Sequence, residues 1–107
     1  MASFGTFIKT EREKRGWSQT EFGAMVHINM TAISRIENDK KKFNDSKLEL
    51  LAELFEMDIT EIRDLYFADK FAKEAYINKC SDSVFAVAEK ENQYLKSKSV
   101  KQSVINF

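Results

Sequence analysis

The chain has 107 residues with 17 basic and 17 acidic side chains, so it has no net charge, and 43% of its residues are hydrophobic. A chain of this length folds as one domain, or as one small domain with an extension. It contains no proline and three glycines. Because few residues interrupt helices, we predict a mainly α-helical protein. No run of about 18 apolar residues is present, so we expect no membrane-spanning segment.

The cysteine and histidine content argues against catalysis. The one cysteine, Cys80, has no partner for an internal disulfide, and its neighbours Lys79 and Ser81 include no histidine that would activate it. We interpret it as a buried or loop thiol. Without metal-ligand or phosphate-loop spacing, the chain is expected to be no enzyme and to bind no metal or cofactor. Since residues 1–5 lack the features of a signal peptide, we expect a cytoplasmic location.

Charge is distributed unevenly along the sequence. Residues 1–42 contain eight Lys/Arg and five Asp/Glu, a local net charge of +3, so residues 43–107 have a net charge of −3. A basic front half favours an oriented encounter with a polyanion such as nucleic acid.

Two short helices are predicted in the first 26 residues. The first has apolar residues at positions i, i+3 and i+4, namely Phe4, Phe7 and Ile8. It is expected to end near Arg15 and Gly16, because glycine readily ends a helix in the left-handed conformation. Ser18 and Glu21 have the spacing of a capping box and predict a second helix at about residues 18–26. Its inward stripe consists of Phe22, Met25 and Val26.

The third and fourth helices are predicted from their caps and apolar stripes. Asn29 is suited to cap the third helix, in which Ile33 and Ile36 face inward before the charged segment 39–42 ends it. Ser46 is suited to cap the fourth helix, which we expect at the centre of the core because its stripe is broad. The stripe consists of Leu48, Leu51, Ala52 and Phe55, thickened by Leu50 and Leu54.

The rear of the chain is predicted to form two longer helices. Asp58 and Glu61 have the spacing of a second capping box, which opens a fifth helix that extends to about Asn78. A last helix is expected at about residues 82–97, where apolar residues again fall on one face. Residues 98–107 are expected to be loosely ordered.

The second and third helices are separated by about three residues, and the third opens with polar residues. This is the organisation of a helix-turn-helix. At about 100° per residue, an arc of about 140° on the third helix contains none of the core residues. That arc carries Met30, Thr31, Ser34, Arg35 and Asn38. Because Ala32, Ile33 and Ile36 lie on the other side, one face can pack while the other meets a partner.

The free face has side chains suited to a DNA major groove. Arg35 can donate two hydrogen bonds to guanine O6 and N7, a contact worth roughly 1–3 kcal/mol of discrimination between bases. Thr31 and Ser34 can bond to base edges or phosphates, and Met30 can contact a thymine methyl. The alternative for Arg35 is an ordinary solvated side chain, but the helix-turn-helix spacing favours base reading.

Two segments carry a family resemblance. Ser18–Gly23 reads SQTEFG and Ile33–Asn38 reads ISRIEN, with Ile28 between them. Together they resemble the signature of phage-repressor-type (Cro/repressor, XRE) helix-turn-helix transcriptional regulators, over about residues 4–65. The resemblance implies an all-α, five-helix, lambda-repressor-like bundle that binds operator DNA, usually as a dimer.

The resemblance also implies roles for individual residues. Met30, Thr31 and Arg35 match positions that read bases in the family, and Ser34 on the same face is expected to join them. Positions that contact phosphates in the family are matched by Gln19, Asn38, Lys40, Lys41 and Lys42, and Asn29 is expected to add a phosphate contact. A lysine run is also typical of a solvated loop, but its position after the third helix favours phosphate contact. Arg12 and Glu37 match a structural pair that joins the first helix to the end of the recognition helix. His27 and Asp39 stand where the family has glycine, and both residue types tolerate the left-handed conformation.

Beyond this domain the sequence predicts a surface for association. Phe67 and Phe71 lie on the side of the fifth helix opposite its core stripe, and Phe85 lies outside the main stripe of the last helix. The last helix or a second subunit could cover them, and we expect a dimer interface that includes Phe67, Phe71 and Phe85. This part also resembles the C-terminal helices of bacterial regulators encoded near DNA methyltransferase or restriction genes.

These observations predict a helix-turn-helix DNA-binding domain at residues 1–66 and a C-terminal helical extension for dimerisation at residues 67–107. The expected function is that of a dimeric transcriptional regulator, a repressor or autoregulator, that binds a palindromic operator with the recognition helix, about residues 29–37, in the major groove. The first alternative is an antitoxin or a restriction-modification controller-type regulator whose C-terminal helices bind a partner protein. The second is a structural adaptor that has this fold without DNA binding.

Overall fold

The computed structural model describes residues 3–104, with side chains described for residues 3–99, and the regular elements in this range are all helical. They are α1 (Phe4–Lys14), α2 (Gln19–Val26), α3 (Met30–Glu37), a 3-10 turn (Asp45–Lys47), α4 (Leu48–Phe55), α5 (Ile59–Ile77) and α6 (Val84–Val104). The predicted all-α class is confirmed. The chain divides within α5 into two compact units, of which the first ends at Lys70 and the second begins at Phe71.

The core of the first unit draws apolar side chains from all five of its helices. The largest fully buried side chains are Ile8, Phe22, Val26, Ile33, Leu51, Phe55 and Ile62. The rings of Phe22 and Phe55 stack with their centroids 5.8 Å apart, and the Trp17 ring stacks on both. Each fully buried side chain of this kind contributes roughly 1.5–3 kcal/mol by leaving water. This core supports the inner sides of α2 and α3.

Local hydrogen bonds begin α2 and α3 at the predicted residues. The Ser18 hydroxyl accepts from the Glu21 N–H at 3.0 Å, and the Glu21 carboxylate accepts from the Ser18 N–H at 2.9 Å. At the start of α3, the Asn29 side-chain oxygen accepts from the Ala32 N–H at 2.8 Å. Side chains that cap in this way stabilise a helix by about 1 kcal/mol each. Both predicted caps are confirmed.

The start of α4 differs from the prediction. Asn44, not Ser46, provides the side-chain cap, since its side-chain oxygen accepts from the Ser46 N–H at 2.9 Å. This bond spans two residues and closes a tight local turn, so the chain first forms the 3-10 turn. The α-helix begins only at Leu48, with Lys47 at the N-cap position and without a side-chain cap. The prediction that Ser46 caps this helix is therefore wrong.

Helix α5 has nearly the predicted bounds, whereas α6 extends further at its C-terminal end than predicted. Before α5, the Asp58 carboxylate accepts from the Thr60 N–H at 2.7 Å. The helix α6 continues to Val104, so residues 98–104 are helical where we expected loose order. No glycine or proline occurs after residue 23, and nothing in the sequence therefore interrupts this helix. Residues 105–107, the end of the predicted loose tail, lie outside the described residues.

In the second unit, a short turn joins the end of α5 to α6. Lys79 has the left-handed φ of 58°, and the Cys80 N–H donates to the Ala75 carbonyl at 2.9 Å, which closes the end of α5. Cys80 is exposed, so it is a loop thiol. The rings of Phe71 and Phe85 lie 5.7 Å apart. Several other large apolar side chains of this unit are mostly exposed, namely Tyr76, Ile77, Val87, Tyr94 and Leu95.

Candidate nucleic-acid interface

The segment between α2 and α3 is a tight turn of three residues, 27–29. His27 has φ 59° and ψ 44°, so it adopts the left-handed conformation expected of a residue in the place of glycine. The Ile28 N–H donates to the Gly23 carbonyl at 2.9 Å. A Cβ atom on Gly23 would collide with the Ile28 carbonyl oxygen. The turn is therefore packed directly on the backbone of α2, and this contact sets the angle between α2 and α3.

Helix α3 has one buried side and one exposed side. Ile33 and Ile36 on the buried side are 0% and 3% exposed. The exposed side carries Met30, Thr31 and Arg35, with Ser34 half-buried beside them. Met30 is 51% exposed, and the Arg35 guanidinium takes part in none of the ion pairs among residues 3–99. The residues expected to read bases thus share one accessible surface of α3.

A buried ion pair joins the end of α3 to α1. The Arg12 Nε donates to Glu37 Oε2 at 2.7 Å, and the Arg12 Nη2 donates to Glu37 Oε1 at 2.9 Å. The third guanidinium nitrogen, Nη1, donates to the Trp17 carbonyl at 2.8 Å. The two side chains are only 10% and 1% exposed, and the hydrogen bonds to Glu37 raise the pKa of Arg12. Moving α3 away from α1 would therefore leave buried charges without their partners.

Gln19, the expected phosphate ligand on α2, binds the same carboxylate. Its Nε2 donates to Glu37 Oε1 at 3.1 Å. This bond, which no pattern in the sequence predicts, connects the first residue of α2 to the last residue of α3. The side chain is half-buried. Because a carboxamide nitrogen has two N–H groups, the bond to Glu37 leaves one of them for a phosphate oxygen.

The two asparagines at the ends of α3 use part of their hydrogen-bonding capacity within the helix. Asn29 caps the start through its side-chain oxygen. At the end of the helix, the Asn38 Nδ2 donates to the Ser34 carbonyl at 2.8 Å. Both side chains are exposed. The Asn29 amide and the Asn38 side-chain oxygen are the groups not used in these two bonds.

The loop after α3 presents the three lysines to solvent. Asp39 has the left-handed φ of 65°, as expected for a residue that replaces glycine here. The Lys40 N–H donates back to the Arg35 carbonyl at 2.8 Å, which together with the left-handed Asp39 caps the C-terminal end of the helix. Residues 40–42 are all exposed. A cluster of positive charge therefore follows the last turn of α3.

Comparison with known proteins identifies the family. A family model described as Helix-turn-helix matches residues 8–62, just over half of the chain. The chain belongs to the XRE-type helix-turn-helix family. As a member of this family, it is a DNA-binding transcriptional regulator. Neither a curated protein nor a solved structure matches the chain significantly.

The region matched by the XRE-type family contains α2, the turn and α3, together with both partners of the buried ion pair. It ends within α5, before the second unit begins. None of the helices in the described part of the chain is long and apolar enough to cross a membrane. Among residues 3–99, no three His, Cys, Asp or Glu side chains are grouped so that they could hold a metal ion.

Lys47 has a place in this XRE-type domain that sequence reasoning missed. Its Nζ donates to the Val26 carbonyl at 2.7 Å and to the His27 carbonyl at 3.1 Å. The side chain is half-buried. Val26 and Lys47 are 21 residues apart in the sequence. No helical spacing or cap pattern connects positions so distant, so the sequence contains no local signal for this contact.

Tyr66 on α5 is buried, and its hydroxyl makes a polar contact that the sequence did not predict. Its hydroxyl donates to the Phe43 carbonyl at 2.7 Å. Burial raises the pKa of Tyr66, so the hydroxyl keeps its proton and remains a donor. Because Phe43 directly follows Lys42, this bond fixes the far end of the loop that contains residues 40–42, here called the lysine loop. The loop is thus held at both ends, by the Lys40 N–H and by the Phe43 carbonyl.

The residues expected at the dimer interface are all partly exposed. Phe67, Phe71 and Phe85 are 45%, 42% and 49% exposed. Phe67 belongs to the first unit, where its ring lies 5.0 Å from that of Tyr66. Phe71 and Phe85 contact each other in the second unit. Each unit therefore has aromatic surface available for association.

Proposed function

We propose that the protein is a dimeric repressor or autoregulator that binds a palindromic operator in double-stranded DNA, with α3 in the major groove. The observation that carries this proposal is the exposed side of α3, whose opposite side is buried and whose end is tied to α1. A rigidly held helix with accessible polar side chains is suited to reading base edges. We further propose a cytoplasmic location, where such a regulator meets its operator.

Arg35 is proposed as the main base-reading residue. Its guanidinium is exposed, and its fork of donors matches the O6 and N7 acceptors of guanine. Met30 and Thr31, one helical turn earlier, offer methyl groups for contact with a thymine methyl, and Thr31 and Ser34 add hydroxyl groups. The combination favours an operator half-site that includes a guanine and a nearby thymine.

The phosphate contacts are proposed for residues on both sides of this surface. Gln19 lies at the N-terminal end of α2, where free backbone N–H groups and the helix dipole attract an anion. Asn29 and Asn38 lie at the two ends of α3, and residues 40–42 extend the surface with three positive charges. Phosphate contacts of this kind position the helix without reading sequence.

A dimer is proposed to place two copies of α3 on one face of the duplex. Recognition helices about 34 Å apart fit successive turns of the major groove, and two-fold symmetry then requires a palindromic site. The exposed rings of Phe67, Phe71 and Phe85 support an interface in this part of the chain, because burial of aromatic surface contributes strongly to association.

The experiment that tests the proposal is a selection of binding sites from random duplexes, repeated with Arg35→Ala. We expect wild type to select a palindromic sequence and Arg35→Ala to lose discrimination at one position in each half-site, by roughly 1–3 kcal/mol. The matched control is Arg63→Ala, since Arg63 is an exposed arginine of α5 whose only described ion pair is a 3.4 Å contact with Glu49. Equal selectivity of Arg35→Ala and wild type would disprove the assignment of α3 as the reading helix.

A second measurement tests the phosphate contacts. We expect Lys41→Ala to weaken binding to all duplexes to a similar degree and to reduce the slope of log K against log salt by about one unit. If the lysine loop is only a solvated segment, the slope will stay the same.

A partner protein for the C-terminal helices is the alternative function, and one observation favours it. In the second unit, Tyr76 and Ile77 at the end of α5 are 85% and 73% exposed. On α6, Tyr94 and Leu95 are also more than half exposed. A large apolar surface can bind a different protein as well as a second copy of the chain. The mass of the purified protein in solution separates the two functions, because an antitoxin-like chain with this surface reserved for its partner is expected to be monomeric alone.

A further inference from the structure

We propose that Lys47 is a positioning residue for DNA recognition. By binding the carbonyl groups at the C-terminal end of α2, its ammonium group holds the turn that directs α3, and it does so without contacting DNA. The inference rests on the proposed function, because it assigns Lys47 a part in presenting α3 to the operator.

A cation is favoured at the C-terminal end of α2, but the last turn of this helix does not contain one. The last carbonyls of a helix have no partner within the helix, and the helix dipole makes this end negative. The last turn of α2 has no basic residue. Lys47 supplies a cation from the 3-10 turn, with its Nζ 2.7 Å from the Val26 carbonyl oxygen. The bond is charge-assisted and half-buried, which makes it stronger than an ordinary surface contact.

The same ammonium group supports the least favourable backbone conformation in the turn. His27 is left-handed, a conformation that costs free energy for any residue with a Cβ atom. Lys47 binds the His27 carbonyl at 3.1 Å and thereby holds this residue in place. Its own backbone is fixed too, since the Lys47 N–H donates to the Asn44 carbonyl at 3.0 Å. The turn is therefore braced against the 3-10 turn that precedes α4.

Helix α3 is consequently held near both ends, by different side-chain contacts. The Arg12–Glu37 pair holds its C-terminal end, and Lys47 acts on the turn before its N-terminal end. Loss of Lys47 should release the first turn, which carries Met30 and Thr31, while the end that follows Arg35 stays in place. Recognition should therefore fail first at the bases near Met30 and Thr31.

The competing explanation is that Lys47 contacts a phosphate, as proposed for residues 40–42. The two explanations differ in their salt dependence. A lysine that binds phosphate releases counterions, and its loss lowers the salt slope by about 0.9. A lysine whose charge is used by helix carbonyls both with and without DNA contributes little to the slope.

The experiment compares Lys47→Met with Lys47→Arg in the full chain. For each variant, we would measure binding to the selected operator and to an unrelated duplex over a range of salt concentrations. Methionine keeps the apolar length of the side chain and removes the ammonium group, whereas arginine keeps the charge. Leu54→Ala is the control for stability, because Leu54 is a half-buried residue at the edge of the core. Hydrogen exchange of the Ile28 N–H reports directly on the turn.

We expect Lys47→Met to weaken operator binding by about ten-fold or more and to leave both the salt slope and the binding to the unrelated duplex unchanged. Hydrogen exchange of the Ile28 N–H should be faster in Lys47→Met than in wild type. Lys47→Arg should recover most of the lost operator affinity. Leu54→Ala should not change the ratio of the affinity for the operator to the affinity for the unrelated duplex. A lower salt slope with equal loss on both duplexes would overturn the proposal, and so would unchanged Ile28 exchange. If wild type binds every duplex equally, the proposed function fails, and the exchange measurement still decides whether Lys47 holds the turn.

Discussion

The guanidinium of Arg12 binds the carboxylate of Glu37 through two nearly parallel hydrogen bonds, at 2.7 and 2.9 Å, although the residues are 25 positions apart in the sequence. Gln19 adds a third donor to the same carboxylate. No side-chain nitrogen or oxygen that is buried among residues 3–99 lacks a hydrogen-bond partner, so the buried polar atoms of the pair are all hydrogen-bonded. One carboxylate thus joins α1, α2 and α3.

Removal of one member of this pair should be far more costly than removal of both. We expect Arg12→Met to lower the free energy of unfolding by about 3–5 kcal/mol, because it leaves the nearly buried Glu37 carboxylate without its cation. Glu37→Met should lower the free energy of unfolding by a similar amount, because it leaves the Arg12 guanidinium without its anion. In the double variant, the free energy of unfolding should fall by much less than the sum of the two single losses, since no charge is left buried. Urea unfolding followed by circular dichroism measures all four proteins, and additive losses would contradict this coupling.

Features defined by neighbouring residues could be predicted from the sequence. The bond between Ser18 and Glu21 spans three residues, as does the bond from Asn29 to Ala32. Within such a span the helix geometry itself brings the groups together, so the residue types are enough. Asn44 and Ser46 show the limit of this reasoning. Both are good capping residues, and the choice between them depended on which backbone N–H the folded loop presented.

Features that join distant segments could not be predicted in the same way. The contact of Lys47 with Val26 crosses 21 residues, and the bond of Tyr66 to Phe43 crosses 23. Their formation depends on how α2, α4 and α5 pack, which periodicity does not determine. Arg12 and Glu37 were expected to pair only because the motif resembled a known family. The bond of Gln19 to that pair was not expected from either source.

The left-handed conformation of His27 predicts a stabilising substitution. His27 is exposed, and its φ of 59° costs a residue with a Cβ atom more than it costs glycine. We expect His27→Gly to raise the free energy of unfolding by roughly 0.5–1 kcal/mol after the greater flexibility of glycine in the unfolded chain is included. The matched control is Ala24→Gly in α2, which should lower it by about 1 kcal/mol. Thermal unfolding distinguishes the two glycine variants, and a lower stability in both of them would show that the backbone at His27 is not strained.

The capping box of α2 should contribute a pH-dependent part of the stability. Hydrogen bonds from the Ser18 backbone N–H and then from its side chain lower the pKa of Glu21. A carboxyl group whose pKa is lower in the folded state stabilises that state above its ordinary pKa and loses the contribution as pH falls through the lowered value. We therefore expect the loss of stability on acidification below about pH 4.5 to be smaller in Glu21→Gln than in wild type.

The control for this titration is Glu53→Gln, which changes an exposed glutamate of α4 that does not form a capping box. Glutamine at position 21 can still accept the Ser18 N–H, so the stabilities of wild type and Glu21→Gln at neutral pH should be similar. Urea unfolding at a series of pH values gives the slope of the free energy of unfolding against pH for each variant. Identical slopes for wild type and Glu21→Gln would show that Glu21 does not contribute to acid sensitivity.

The contact between Phe71 and Phe85 in the second unit leads to a prediction about association. Their rings lie 5.7 Å apart, and both remain partly exposed, which is the arrangement expected of an interface residue in an isolated chain. We expect Phe71→Asp to convert the proposed dimer to monomers, because an unpaired carboxylate in an apolar interface is strongly unfavourable. Light scattering measures the mass, and circular dichroism checks that the variant is folded. Thr60→Asp is the control, since Thr60 is an exposed residue of α5 in the first unit and lies outside the exposed apolar surface of the second unit. A folded Phe71→Asp variant with the mass of wild type would show that Phe71 does not lie in the interface.

If the mass of Phe71→Asp falls, its binding to the palindromic operator should weaken much more than its binding to a single half-site, because the two recognition helices would no longer be linked.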